Sequence, residues 1–269
     1  MRWLAMFGWV LVLTGLAHGV VWLLDGSPPL AGPAGWRKPI VFGLSGGVAT
    51  LSLAALRAGA RAMPRWSGLY GVTMALEIAL IDMQAWRGVG SHFNTSTPLD
   101  GAIFSLMGLL ILVSMVAATV LGVNATRAQR EVDLRLSSGL ATAAIVIGSA
   151  VGIAISVHGS IAQLAGLPPA RLGAGEWKLV HAIALHGMQL FPVVAWWLRR
   201  RWASASDRSR ALLGVGVAWA LVLAASFVQL LLRRAPSDPA LVPALLAVAG
   251  LVVGLVSVTP AVRARAEAA

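Results

Sequence analysis

Residues 101–123 read GAIFSLMGLLILVSMVAATVLGV and contain no ionisable side chain. A transmembrane helix needs about 20 consecutive apolar residues to cross ~30 Å of hydrocarbon at 1.5 Å per residue. This stretch meets that requirement by itself. It therefore predicts a membrane-spanning helix.

Seven further apolar segments of comparable length lie along the chain. The eight predicted spans are residues 3–24, 40–56, 66–86, 101–123, 136–157, 179–198, 211–232 and 241–258. The first span is too long for the apolar part of a signal peptide, so we expect it to be retained. The pattern predicts an all-α polytopic membrane helix bundle with about eight transmembrane helices, in which residues 1–269 form one integral membrane domain surrounded by the lipid bilayer.

The overall composition agrees with this fold class. Hydrophobic residues make up 58% of the chain and charged residues only 12%, whereas soluble domains carry about 25% charged residues. The chain contains no cysteine. Disulfides, thiolate-held iron–sulfur clusters, covalently attached c-type haem and cysteine nucleophiles are therefore excluded.

The net charge of +11 has a membrane explanation. If the N-terminus is cytoplasmic, the cytoplasmic side carries 14 of the 21 Lys and Arg residues, as the positive-inside rule requires. Both termini are then cytoplasmic, and we expect no nucleic-acid partner.

The segment before the fourth span holds a dense group of polar residues. Residues 77–100 read EIALIDMQAWRGVGSHFNTSTPLD. An ionisable residue inside a membrane segment is by default a functional-site hypothesis. Glu77 and Gln84 are seven residues apart and share a helix face, with Arg87 one turn further on, while Asp82 points about 140° away from Glu77. We expect Glu77 and Asp82 to be buried and hydrogen-bonded.

The end of the same segment has a structural explanation. Thr97, Pro98 and Asp100 fit an N-cap residue, a first-turn proline and a capping carboxylate for the fourth span. Ser91 to Asn94 have no such explanation. Elsewhere, the glycine pairs Gly43/Gly47, Gly148/Gly152 and Gly250/Gly254 predict closely packed helix faces.

The five histidines share one side of the predicted bundle. The predicted topology places His18, His92, His158, His181 and His186 on the outer side of the membrane midplane. His181 and His186 diverge by about 140° on one helix, so one should face a pocket and the other a neighbouring helix. We expect His186 to be the deeper ligand, with Gln189 fixing its ring.

These residues define one predicted pocket that opens to the outer face and holds a small-molecule ligand. Lys38, at the start of the second span, either neutralises Glu77 or Asp82 or meets an anionic ligand. The candidate binding residues are His18, Lys38, Glu77, Asp82, Gln84, Arg87, His92, His181, His186 and Gln189, of which His18, His92, His181 and His186 are the candidate metal ligands.

Three motifs carry a family resemblance. WRKPI from Trp36, QAWRGVGSHFN from Gln84 and HAIALHGMQLFP from His181 are similar to the WRKPIKF-like, QAxRGxxSHFN and HFxGLHxxQxxP motifs of an uncharacterised family of bacterial multi-pass membrane proteins. The resemblance covers residues 36–192 and implies a location in the bacterial cytoplasmic membrane. It implies no activity. The chain departs from the family in the short loop LAGLPPARLGAGEWK, where members carry a longer glycine-rich insertion with another histidine.

Four functions remain open at this point. The first is a membrane redox protein that binds haem b or a divalent metal, because imidazoles from facing helices are the usual axial ligands of b-type haem. The second is a zinc-dependent membrane hydrolase using His92, His158, His181 and Asp82. The others are a proton-linked transporter or sensor and a non-catalytic membrane scaffold. The pattern does not decide whether the protein is an enzyme, nor its oligomeric state.

Overall fold

The computed structural model describes residues 2–266, apart from residues 31, 33–34, 58, 168–173, 202–203 and 236. This described part forms eight α-helices and no β-strand, which confirms the predicted all-α class. The helices are α1 Arg2–Leu24, α2 Arg37–Leu56, α3 Pro64–Trp86, α4 Pro98–Ala128, α5 Val132–Leu164, α6 Ala174–Arg199, α7 Ala205–Leu231 and α8 Leu241–Ala266. The loop LAGLPPARLGAGEWK, residues 164–178, lies partly outside the described residues.

Seven of the eight helices in the described part are long and apolar enough to cross a membrane. The chain is therefore a multi-pass membrane protein. α3 is the helix that does not meet this description, although its 23 residues extend ~34 Å at 1.5 Å per residue. Its polar residues, chiefly Arg65, Glu77 and Asp82, lower its mean hydropathy. The predicted span at residues 66–86 is thus a helix whose composition differs from the rest.

The chain divides into two compact units, residues 1–121 and 122–269. We call them unit 1 and unit 2 and describe each by itself. α4 begins in unit 1 and ends in unit 2. The single membrane domain expected for residues 1–269 stays a prediction.

In unit 1, glycines bring α1 and α2 into backbone contact. A Cβ atom added to Gly43 would lie 2.6 Å from the Cα of Gly15, and one added to Gly47 would lie 2.7 Å from the backbone nitrogen of Val12. Only glycine allows two helix backbones to approach this closely. The packing role predicted for Gly43 and Gly47 is confirmed.

α3 and the first part of α4 are joined by polar and apolar contacts. The hydroxyls of Thr73 and Ser114 lie 2.6 Å apart, and Ile81 packs with Ile103 and Met107 in a buried cluster. The buried face of α3 also carries Glu77 and Gln84. Protein neighbours rather than lipid therefore surround this polar face.

In unit 2, an ion-pair cluster joins the ends of three helices. Asp133 at the start of α5 has no exposed surface. It accepts from Arg208 Nε at 2.6 Å and pairs with Arg199 Nη1 at 3.0 Å. Arg199 also bonds Glu131 at 2.7 Å, and this hydrogen bond, more than any other contact, holds the pKa of Glu131 below its usual value.

Candidate functional site

Glu77 is buried on α3 without the hydrogen bonds that a carboxyl group requires. Its exposed fraction is 3%, and its Oε2 atom has no hydrogen-bond partner among the described residues. The Oδ1 atom of Asp82 is likewise buried and has no hydrogen-bond partner among the described residues. Burial of Glu77 agrees with the sequence prediction, but the prediction that both carboxyls are hydrogen-bonded is wrong for one oxygen of each. An unsatisfied buried polar group is costly and calls for a functional explanation.

His92 faces Glu77 from the loop between α3 and α4. Its Nε2 atom lies 3.9 Å from Glu77 Oε1, too far for a hydrogen bond but within a small movement of one. On the other side of the ring, Nδ1 lies 2.9 Å from Ser91 Oγ. Lys38 Nζ donates to the same hydroxyl at 3.2 Å.

The hydrogen bonds that link Lys38, Ser91 and His92 all donate in the same direction. A lysine ammonium group can only donate, so Ser91 accepts from Lys38 and donates its own proton to His92 Nδ1. The proton of the neutral imidazole is then on Nε2, the atom that faces Glu77. We call Lys38, Ser91, His92 and Glu77 the Glu77 relay.

Three phenyl rings lie near His92. The ring centroids of Phe42, Phe93 and Phe104 lie 5.5, 6.5 and 6.4 Å from that of His92. Ser91 is only 2% exposed. Ser91 and Glu77 are therefore shielded from water, whereas the His92 side chain between them is 27% exposed. Low dielectric surroundings strengthen electrostatic contacts at the two buried residues.

The backbone of the loop places His92 at this point. α3 ends at Trp86, and Gly88 follows in the left-handed region at φ 69°, where the Val89 N–H bonds the carbonyl of Gln84 at 3.1 Å. This is a glycine-dependent helix termination. Further along, the Asn94 amide donates to the Gly90 carbonyl at 2.9 Å and closes the loop around His92.

Gln84 and Arg87, both predicted pocket residues, bind a carboxylate of the helix cap. Asp100 Oδ1 accepts from Gln84 Nε2 at 3.0 Å and from Arg87 Nη1 at 2.8 Å. The backbone N–H of Asp100 donates to Thr97 Oγ1 at 3.1 Å, so the predicted N-cap is confirmed. Gln84 and Arg87 thus tie the end of α3 to the start of α4. In this structure they hold the loop that carries His92.

His18 of α1 has both ring nitrogens occupied. Nδ1 lies 2.9 Å from the carbonyl oxygen of Thr14, and Nε2 accepts from Trp86 Nε1 at 3.1 Å. The imidazole is therefore neutral with its proton on Nδ1, which also lies 3.9 Å from Asp82 Oδ2. A metal bond to Nε2 would require Trp86 to move away.

The histidines of α6 point in different directions, as predicted. His181 Nδ1 contacts the carbonyl oxygen of Gly148 on α5 at 2.8 Å, whereas His186 is exposed. With its amide nitrogen toward the backbone, Gln189 donates to the carbonyls of His186 at 3.3 Å and Leu185 at 3.1 Å. These bonds go to the backbone, so they do not orient the His186 ring as expected. His158 is exposed and packs on Trp177, with ring centroids 4.9 Å apart.

The predicted site residues fall into both units. His18, Lys38, Glu77, Asp82, Gln84, Arg87 and His92 belong to unit 1, and His181, His186 and Gln189 belong to unit 2. Their convergence on one pocket stays a prediction. Over the residues that the structure describes, no three His, Asp or Glu side chains form a group that could hold a metal ion.

Sequence reasoning missed part of the arrangement in unit 1. Ser91 was noted without a role, Trp36 was named only as the start of the WRKPI motif, and Trp86 was only the last residue of the third predicted span. Trp86 follows Asp82 by four residues on one helix face, a spacing that could have predicted that both approach the same residue, His18.

No known family model matches this chain, and neither curated proteins nor solved structures include a significant match. The family resemblance of the three motifs remains a prediction.

Proposed function

We propose that the protein is a proton-linked transporter or sensor of the bacterial cytoplasmic membrane, with Glu77 as its proton-binding group. The observation that carries this proposal is the buried Glu77 carboxyl group, whose free oxygen has no partner and whose other oxygen lies 3.9 Å from the N–H of His92. Glu77 lies nine residues before the end of α3, which places it ~14 Å from that end along the helix axis.

The relay supports a proton transfer that ends at Glu77, in which His92, Ser91 and Lys38 each give one proton and receive one. Glu77 takes the proton from His92 Nε2, and His92 receives one at Nδ1 from Ser91. Ser91 is reprotonated by Lys38, which recovers its proton from a hydronium ion of the solvent and leaves water. Protonation neutralises Glu77, and the charged carboxylate is the form that is costly to bury. Either a solute or a change of conformation can be linked to such an event.

The scaffold hypothesis explains this arrangement less well. Carboxyl groups that serve only structure have their hydrogen bonds satisfied, as those of Asp100 and Asp133 are here. Glu77 differs from them within the same protein. The zinc-hydrolase hypothesis gains no support from any group of side chains in the described residues.

Infrared difference spectroscopy between acid and alkaline pH tests the proposal, because burial favours the protonated form of a carboxyl group. We expect the wild-type protein to give a pH-dependent carbonyl band of a protonated carboxylic acid, and Glu77→Gln to lose it. His92→Phe removes the proton donor but keeps an aromatic ring, so it should retain the band and slow its appearance after a pH jump.

Glu131→Gln provides the matched control. Glu131 lies outside the relay in an ion pair with Arg199, so this variant should keep the Glu77 band. A band that persists unchanged in Glu77→Gln would refute Glu77 as the proton-binding group.

Haem or metal binding in a membrane redox protein is the second candidate, favoured by one observation. His181 directs Nδ1 at a backbone carbonyl, which is how metal-bound histidines are usually oriented, with Nε2 left as the ligand atom. On this hypothesis, the purified protein absorbs in the haem Soret region or carries a stoichiometric metal, and His181→Ala loses it while Glu77→Gln does not.

A further inference from the structure

Unit 1 contains a second polar cluster, which the Glu77 relay does not use. Trp36, at the start of α2, meets Trp86 at the end of α3 with ring centroids 5.0 Å apart and an interplanar angle of 78°. The His18 ring lies 6.0 Å from Trp36 and 6.3 Å from Trp86. We call His18, Trp36, Asp82 and Trp86 the aromatic corner.

Hydrogen bonds fix both indole rings by their N–H edges. Trp86 Nε1 donates to His18 Nε2 at 3.1 Å, and Trp36 Nε1 donates to Asp25 Oδ2 at 2.8 Å. Trp86 nevertheless remains 62% exposed. Tryptophans that only mark a membrane boundary need no such mutual packing. Here two perpendicular rings are held in place with ring surface left open.

The charge at the corner is negative. His18 is neutral, as its two hydrogen bonds require. Asp82 brings a carboxylate whose Oδ1 atom is buried and has no hydrogen-bond partner in the described residues, and Asp25 brings a second one. Arg87, which follows Trp86, is engaged by Asp100. Arg37, which follows Trp36, is exposed.

We infer that the aromatic corner binds a substituted ammonium group. Indole faces attract organic cations, and cages of aromatic rings are the usual recognition site for quaternary ammonium. The carboxylate of Asp82 supplies the opposite charge, which attracts a cation without a hydrogen bond. The ligand is either a soluble amine or the headgroup of an aminolipid. This site does not include Glu77, so ammonium binding at the aromatic corner does not depend on proton binding by Glu77.

Calorimetric titration of the detergent-solubilised protein with choline tests the inference. We expect saturable binding of choline and at least tenfold weaker binding of its uncharged analogue, in which a quaternary carbon replaces the nitrogen. Asp82→Asn, which keeps the shape of the side chain, should weaken choline binding about tenfold or more. Trp86→Leu should weaken it similarly, whereas Trp86→Phe should retain most of the affinity because it keeps an aromatic face.

Three further variants separate this site from other effects. Trp196→Leu removes an exposed tryptophan of unit 2, Arg37→Gln removes the neighbouring cation, and Glu77→Gln removes the relay carboxyl; each should bind choline at least as well as wild type. Each variant is used only if its circular dichroism and gel filtration match wild type. Equal binding of choline and its uncharged analogue, no choline binding, or unchanged affinity in both Asp82→Asn and Trp86→Leu would overturn the inference.

The lipid environment then identifies the source of the ammonium group. Choline affinity is compared in nanodiscs that contain the same fraction of anionic phosphatidylglycerol, with either phosphatidylethanolamine or an uncharged glycolipid as the remaining lipid, so that the surface charge is equal. Weaker choline binding in phosphatidylethanolamine means that the lipid headgroup competes for the corner, and the natural ligand is an aminolipid. Equal affinity in the two membranes assigns the corner to a soluble amine. Both results support an ammonium site.

Discussion

Asp133 is the residue on which the ion-pair cluster of unit 2 depends. It has no exposed surface and accepts from Arg208, which is only 7% exposed. Removing a buried partner of an ion pair costs about 3–5 kcal/mol when the other charge is left uncompensated. Glu131 stays 3.8 Å from Arg208 and 2.7 Å from Arg199, so the loss here should be smaller, about 2 kcal/mol. We expect Asp133→Ala to lower the free energy of unfolding by about this amount, measured by denaturing-detergent titration followed by circular dichroism.

Asp207 provides the control for this change. It pairs with Arg210 at 2.7 Å, but its side chain is 46% exposed and that of Arg210 is 76% exposed. Exposed pairs contribute about 0–1 kcal/mol, so Asp207→Ala should have a small effect. Equal losses in the two variants would contradict the role assigned to Asp133.

At the scale of residues, sequence reasoning identified local contacts better than distant ones. The cap formed by Thr97 and Asp100 was predictable because its two members are three residues apart and every helix start needs such bonds. That Asp100 also binds Gln84, sixteen residues away, depends on how α3 and α4 pack. The pairing of Asp133 with Arg208, 75 residues away, was not predictable for the same reason.

At the scale of elements, the contact between α1 and α2 offers a sharp test. A methyl group on Gly43 would meet backbone atoms of Gly15 at 2.6 and 2.7 Å, and backbone cannot move aside as a flexible side chain can. Overpacking of this kind costs about 1–3 kcal/mol. We therefore expect Gly43→Ala to lower Tm and the free energy of unfolding.

Gly19 is the matched control on the facing helix. A Cβ atom added there meets nothing within 4 Å, and alanine favours a helix over glycine by about 1 kcal/mol. Gly19→Ala should leave Tm unchanged or raise it. If both substitutions lower Tm equally, close packing of α1 on α2 is not what makes Gly43 necessary.

The helices themselves were largely predictable, since long apolar runs leave few alternatives in a membrane. The lengths of the helices were less predictable. α5 extends from Val132 to Leu164, beyond the predicted span 136–157 at both ends, because polar residues such as Asp133 and His158 can continue a helix outside the apolar region. α3 was predicted as a span despite Glu77 and Asp82, and protein neighbours explain how its polar face is accommodated.

At the scale of the whole molecule, the candidate site residues are divided between two units. Helix periodicity correctly predicted that His181 and His186 diverge, since that depends on one helix alone. Which partners each histidine meets depends on packing between helices, and the bond from His181 to the Gly148 carbonyl was not foreseen. The cytoplasmic location of both termini and the pocket shared by His92 and the α6 histidines remain predictions.

The division of the chain at residue 121 has a consequence for biosynthesis. The Glu77 relay and the aromatic corner use only residues of unit 1, which leaves the ribosome first. Residues 122–269 follow over roughly 7–30 s at about 5–20 residues per second. During that interval, the nascent chain can already bring Glu77 and His92 together in the membrane.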